Sequence, residues 1–121
     1  MKIITHEIDK IKIAEIIFEQ EIFYSSDDAT DLLGDLYYQG YEKIIIYEKN
    51  ISSEFFDLKN KIAGEILQKY SNYRVHLAIV GDFNKYTSKS VKDFIFESNK
   101  IGHINFVSTV SDAISRLTKI K

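Results

Sequence analysis

Apolar residues along this chain recur with two periods, near two and near 3.6, and the changes between them mark out its elements. The opening run Ile3-Ile4-Thr5-His6-Glu7-Ile8 is rich in β-branched residues and is separated by the polar pair Asp9-Lys10 from a second such run, Ile11 to Phe18. A β-hairpin turning at that pair is expected. Ser25-Ser26-Asp27-Asp28 then precedes Ala29, Leu32, Leu33 and Leu36, with Ser25 and Asp28 at capping-box spacing, so a first helix follows and Gly40 closes it. Lys43 to Tyr47 is apolar on successive residues, the mark of a strand covered on both faces.

Beyond Asn50-Ile51-Ser52-Ser53, the residues Phe55, Leu58, Ile62, Ala63, Ile66, Leu67 and Tyr70 fall on one broad stripe and predict a long second helix. Val75 to Val80 reads as the next strand. Thr87-Ser88 caps a third helix with inner positions Val91, Phe94, Ile95 and Ser98. Ile104 to Val107 is the last strand, and Ser108 is placed to cap a final helix carrying Val110, Ala113, Ile114 and Leu117 inward, with Lys119 and Lys121 suited to its C-terminal dipole. The order β-β-α-β-α-β-α-β-α requires an α/β domain: a mostly parallel five-stranded sheet with an N-terminal antiparallel hairpin. That order resembles the STAS (sulphate transporter and anti-sigma-factor antagonist) fold, a likeness of topology alone.

Composition narrows the function classes. A chain of 121 residues suits one domain spanning residues 1–121. Its 16 basic and 18 acidic side chains give a formal charge of −2, and Arg74 and Arg116 are the only arginines, which speaks against a nucleic-acid binder. No apolar run approaches the roughly 20 residues of a membrane span, and no signal stretch opens the chain, so a cytoplasmic protein without membrane attachment is expected. With no cysteine and only His6, His76 and His103 at unrelated spacings, neither a disulfide framework nor a metal site is expected, and no motif calls for a cofactor.

The middle of the chain carries a more specific likeness. Phe55-Phe56-Asp57-Leu58-Lys59, Ala63-Gly64-Glu65-Ile66-Leu67-Gln68-Lys69-Tyr70, Asn72-Tyr73-Arg74-Val75, Leu77 to Phe83, Lys85 to Ser90 and Lys92 to Asn99 together resemble the bacterial domain of unknown function 4180 family, over roughly positions 42 to 118. The resemblance implies relatives, with no activity and no catalytic residues to carry over.

Candidate chemistry gathers where the parallel strands end, because loops and helix N-termini converge there with free N–H donors. Three segments reach that edge: Asn50 to Phe56, Gly81 to Ser90, and Ser108 to Ser111. The second packs Asp82, Lys85, Tyr86, Thr87, Ser88, Lys89 and Ser90 into ten residues and suits an anion, although it is neither a Walker A loop nor a dinucleotide fingerprint. The plainer reading makes Thr87 or Ser88 a helix cap and leaves the lysines solvated. Asp82, straight after an apolar strand, is expected to be semi-buried, either as base or anchor or as the acceptor of an Asx turn. Projection puts Lys59 near the middle of the second helix's apolar stripe, in reach of the strand ends and Asp82, with Glu65 and Lys69 at its border; snorkelling stems are the alternative. Gly64 and Phe96 project off their helices' inner faces, which suggests either a contact with another subunit or cover from elsewhere in the monomer. Arg74 reads as an ion-pair partner, and His76 as a satisfied core histidine.

Sequence alone does not decide what the domain does. One reading is a non-enzymatic regulatory or binding module for a protein partner or small anionic ligand, possible also as a homodimer, in which Ser52, Ser53 or Ser88 is phosphorylated at a helix start as in STAS regulators. The alternative is a small enzyme acting on a phosphorylated or carboxylated metabolite with Lys59, Asp82 and the Tyr86–Ser90 loop.

Overall fold

A computed structural model of the chain describes residues 2–19 and 26–119. Strands β1 (Lys2–Ile8) and β2 (Ile11–Ile17) pair antiparallel without a register break, from Lys2 opposite Ile17 to Ile8 opposite Ile11. Asp9 and Lys10 form the turn at φ of 51° and 71°. Two positive φ values are what a two-residue loop needs if its twist is to match that of the strands. Asp tolerates this conformation; Lys10 holds it at a cost of about 1 kcal/mol.

Helix α1 (Ser26–Tyr38) buries Ala29, Leu32, Leu33 and Leu36, as its spacing requires. It ends in a Schellman motif: Gly40 has φ 92°, its N–H donates to the Tyr37 carbonyl, and the Tyr41 N–H donates to the Leu36 carbonyl. Ser25, expected as the N-terminal cap, lies outside the described residues, as does Lys121.

Strands β3 (Lys43–Tyr47), β4 (His76–Val80) and β5 (Ile104–Val107) run parallel to β2, and the sheet order is β1-β2-β3-β4-β5. Because every crossover steps the same way across the sheet and is right-handed, α1, α2 (Ile62–Asn72) and α3 (Lys89–Ile101) share one face. The larger core lies beneath them, built on Ile16, Ile44, Ile46, Phe55, Ile66, Tyr70, Leu77, Ile79 and Phe106. On the other face α4 (Val110–Lys119) packs against β3, β4 and β5, closing a smaller core of Ile13, Ile45, Ala78, Val80, Val107, Ala113 and Leu117. No helix among the described residues is long and apolar enough to cross a membrane.

Three expectations are corrected. The segment after β3 is not one helix: it makes three 3-10 turns, Glu48–Asn50, Ser53–Phe56 and Leu58–Asn60, before α2 begins at Ile62. The Ser52 and Asp57 side chains accept from the backbone N–H of Glu54 and Lys59, local bonds that compete with helix propagation. Lys61 at φ 67° completes the break. Broken this way, the backbone buries the adjacent Phe55 and Phe56 together, at 0% and 8% exposure. Lys59 therefore rides an exposed turn rather than an apolar stripe, and Glu65 and Lys69 are exposed. At α4 the cap is Thr109, whose Oγ1 accepts from the Asp112 N–H at 3.0 Å, not Ser108. Arg74 forms no ion pair among the described residues; it occupies a left-handed turn at φ 57° before β4.

Candidate functional site

The register Tyr47–Val80 and Val80–Val107 brings the ends of β3, β4 and β5 level, and the Gly81 N–H donates to the Val107 carbonyl at 3.0 Å. The loops that begin at Glu48, Gly81 and Ser108 therefore leave one rim of the sheet, where parallel-sheet proteins bind ligands.

Glu48, the residue next after β3, organises that rim. Its carboxylate accepts a 2.5 Å hydrogen bond from the Tyr86 hydroxyl and lies 2.6 Å from the Lys85 Nζ, with the Glu48 side chain only 11% exposed. Burial, followed by that hydrogen bond and the Glu48 charge, pushes the Tyr86 hydroxyl well above the usual phenol range, so it stays protonated and donating. Gly81 makes the arrangement sterically possible: a Cβ there would stand 2.4 Å from the Cβ of Glu48. The Tyr86 ring stacks on Phe56 at 4.4 Å, and Phe56 and Phe83 both pack against Phe106, so β5 supports the rim from below.

Between the Ser53–Lys59 turns and the Lys85–Val91 segment runs a groove with adjoining cavities of about 330 and 380 Å³. Six of the sequence-predicted ligand residues line it: Lys59, Lys85, Tyr86, Thr87, Ser88 and Ser90, together with Ser53 and Asp57. Several already hold structural bonds. Ser88 Oγ caps α3 by accepting from the Val91 N–H, the Asp57 carboxylate accepts from the backbone N–H of Lys59, and Lys85 is held by Glu48.

The remaining candidates lie elsewhere. Asp82 is exposed and its carboxylate accepts from the Asn84 N–H at 3.1 Å, the Asx-turn geometry; no ion pair joins it to Lys59. Lys89 pairs with Asp93 one helical turn on, in solvent. Asn50 is buried and donates from Nδ2 to the Phe18 carbonyl, tying the loop after β3 to the end of β2. Of the three serines considered for phosphorylation, Ser53 and Ser88 are exposed, whereas Ser52 is buried.

Sequence reasoning passed over Glu48, although a carboxylate directly after an apolar strand is the same signal that drew attention to Asp82. It also missed a network on the face of α4, where the buried Glu15 accepts from the Tyr47 hydroxyl and meets His6 Nε2 at 2.7 Å. Burial alone would raise the Glu15 pKa, but the bonds from Tyr47 and His6, with the His6 charge, bring it below the ordinary carboxylate value. Tyr47 is pushed up to about 12 by burial and by Glu15. The partner residues sit on three different strands, so no local spacing announces them.

The element order and the two helical faces give an α/β fold that is STAS-like. A Thermotoga maritima crystal structure, described as that of a candidate anti-sigma factor antagonist, is similar with a TM-score of 0.51 at 15% identity, over 96% of this chain and 94% of that one. This likeness is one of fold. By sequence, the family model "Domain of unknown function (DUF4180)" matches residues 8–117, and the chain belongs to that family. The match takes in β2 and α1 as well as the central segments in which the resemblance is plainest. No curated protein matches the chain.

Proposed function

We propose that this protein is a non-enzymatic regulatory module of the bacterial cytoplasm that docks a protein partner at the groove between Ser53–Lys59 and Lys85–Val91, with Ser53 as the hydroxyl whose phosphorylation switches docking. The observation that carries the reading is the composition of the groove: exposed hydroxyls at Ser53, Thr87, Ser88 and Ser90 around an aromatic floor, with Asp57, Lys85 and Tyr86 engaged in holding the fold. Such a surface recognises; it offers no nucleophile paired with a base. Likeness of fold to a candidate anti-sigma factor antagonist adds weight. A phosphate on Ser53 would bring about two negative charges to the groove wall opposite Lys85, changing what can dock there.

Tandem mass spectrometry of the protein purified from its host tests the switch. Phosphate at Ser53, or at Ser88, is expected, and Ser52 should stay unmodified because it is buried. Consistently unmodified protein across growth conditions would remove it. The second reading, an enzyme for a small anionic metabolite, draws on the size of the groove, which suits a ligand. A thermal-shift screen of phosphorylated and carboxylated metabolites separates the two, since a substrate would stabilise the native state in proportion to its binding.

A further inference from the structure

The two edges of the sheet are finished differently. At β5 the Asn99 side chain occupies the outer side of the strand, accepting from the Phe106 N–H at 2.6 Å and donating to the Phe106 carbonyl at 3.2 Å. Covering an edge in this way blocks the addition of another strand. At β1 no such cover exists among the described residues: the strand is 7 residues long, pairs with β2 without a bulge, contains no proline, and makes no backbone hydrogen bond on its outer side. Which groups it presents follows from the hairpin. A two-residue loop is flanked by a pair that exchanges both backbone bonds, here Ile8 and Ile11, and such pairs alternate with unbonded ones. Lys2, Ile4, His6 and Ile8 therefore bond to β2, while the N–H and C=O groups of Ile3, Thr5 and Glu7 point away from it. On the α4 face the hairpin is also short of cover. Helix α4 packs over β3, β4 and β5, and Ile4, Ile8 and Ile17 are half-buried and belong to neither core.

We propose that β1 is a homodimer interface, pairing antiparallel with β1 of a second copy about a two-fold axis at Thr5, so that the two sheets join into one. This surface is separate from the groove and does not depend on it. In that register Thr5 faces Thr5 and Ile3 faces Glu7, so every outward-pointing residue of each copy exchanges backbone bonds with the other. The side chains fit as well. Lys2 lies opposite Ile8 and beside Asp9 in the turn of the other copy, Ile4 lies opposite His6, and no like charges are directly opposed. The two Ile4 side chains become diagonal neighbours on the α4 face, which extends the apolar cover of the hairpin. Sliding by two residues one way sets Lys2 against His6, and sliding the other way sets His6 against His6. Either slip also leaves an outward-pointing residue unpaired. A second copy is favoured over an unrelated strand because this one sequence is complementary to itself, as a two-fold interface requires. One strand pair is a small interface, so the dimer forms in rapid exchange at micromolar concentration or above.

The chain has no cysteine, so a single introduced thiol reports on its own symmetry mate. Thr5→Cys places two thiols at the axis with Cα atoms about 5.5 Å apart, a span a disulfide can bridge, whereas Glu7→Cys places them about 13 Å apart, which it cannot. Under mild oxidation of the purified full chain, Thr5→Cys should form a disulfide dimer at least about tenfold faster than Glu7→Cys. The unaltered chain supplies a second readout. Between dilute and concentrated samples, amide exchange followed by NMR should slow about tenfold at Ile3, Thr5 and Glu7, while Ile4, His6 and Ile8 stay protected in both. Sedimentation velocity should show the average mass rising towards that of a dimer over the same range. Equal crosslinking of the two cysteine variants overturns the proposal, and so does exchange at Ile3, Thr5 and Glu7 that is independent of concentration. A monomer at every concentration does the same and would leave β1 to a strand from another protein; that outcome needs no variant to fold.

Discussion

Replacing Gly81 by alanine is the sharpest perturbation of the rim. The new Cβ would lie 2.4 Å from the Cβ of Glu48, 3.0 Å from its Oε1 and 3.2 Å from its Cγ. Carbon atoms rest about 3.5–4.0 Å apart, so one of the two must retreat by about 1 Å. A Cβ cannot rotate out of the way, hence the displacement falls on the backbone of the turn after β3 or of the loop after β4. Overpacking of this kind costs about 1–3 kcal/mol. Loosening of the buried carboxylate from Tyr86 and Lys85 adds about 1 kcal/mol, giving about 2–4 kcal/mol in all. Urea unfolding followed by far-UV circular dichroism measures the loss. Glu48→Gly removes the obstructing Cβ, so the double variant should show a coupling of at least about 1 kcal/mol in a mutant cycle. A Gly81→Ala protein within about 0.5 kcal/mol of the parent, with no coupling to Glu48→Gly, would refute the close approach on which the rim is built.

Other outcomes follow from the rest of the molecule. His76, lowered to about 4 from its ordinary 6.5, stays neutral when folded but takes up a proton when unfolded, so its contribution is complete above pH 6.5 and is lost as pH falls from 6.5 towards 4. The shift sets a ceiling of about 3 kcal/mol, and partial exposure reduces it to about 1–2 kcal/mol; chemical denaturation at stepped pH should show this slope, and His76→Gln should flatten it. Tyr47→Phe leaves the buried Glu15 without one of its donors and should cost about 1–3 kcal/mol in the same assay. Lys10→Gly relieves a left-handed lysine in the hairpin turn and should stabilise by about 1 kcal/mol, raising the melting temperature.

Much of the architecture was written in local pattern. The β-branched runs around Asp9-Lys10, the leucine spacing of α1, and the stripe Val110, Ala113, Ile114, Leu117 each depend on residues a few positions apart, and these elements formed as expected. The segment from Glu48 to Lys61 was not legible in that way. Its apolar residues mimic a helical period, yet Phe55 and Phe56 are adjacent and both buried, against Phe94 on one side and Tyr86 on the other, a demand set by elements far along the chain. The site divides similarly. The level strand ends and the Lys85–Ser90 loop could be read from the strand and helix order. Glu48 could not be recognised as their organiser, because its partners lie some 37 and 38 positions away, on a loop whose approach depends on Gly81.

Site-specific photo-crosslinking in the host tests most directly that the groove is the docking surface. A benzophenone side chain in place of Ser53, on the groove wall, should yield a discrete crosslinked protein identifiable by mass spectrometry, whereas the same group in place of Tyr38, 95% exposed at the end of α1, should not. Crosslinks from Tyr38 with none from Ser53 would contradict the account.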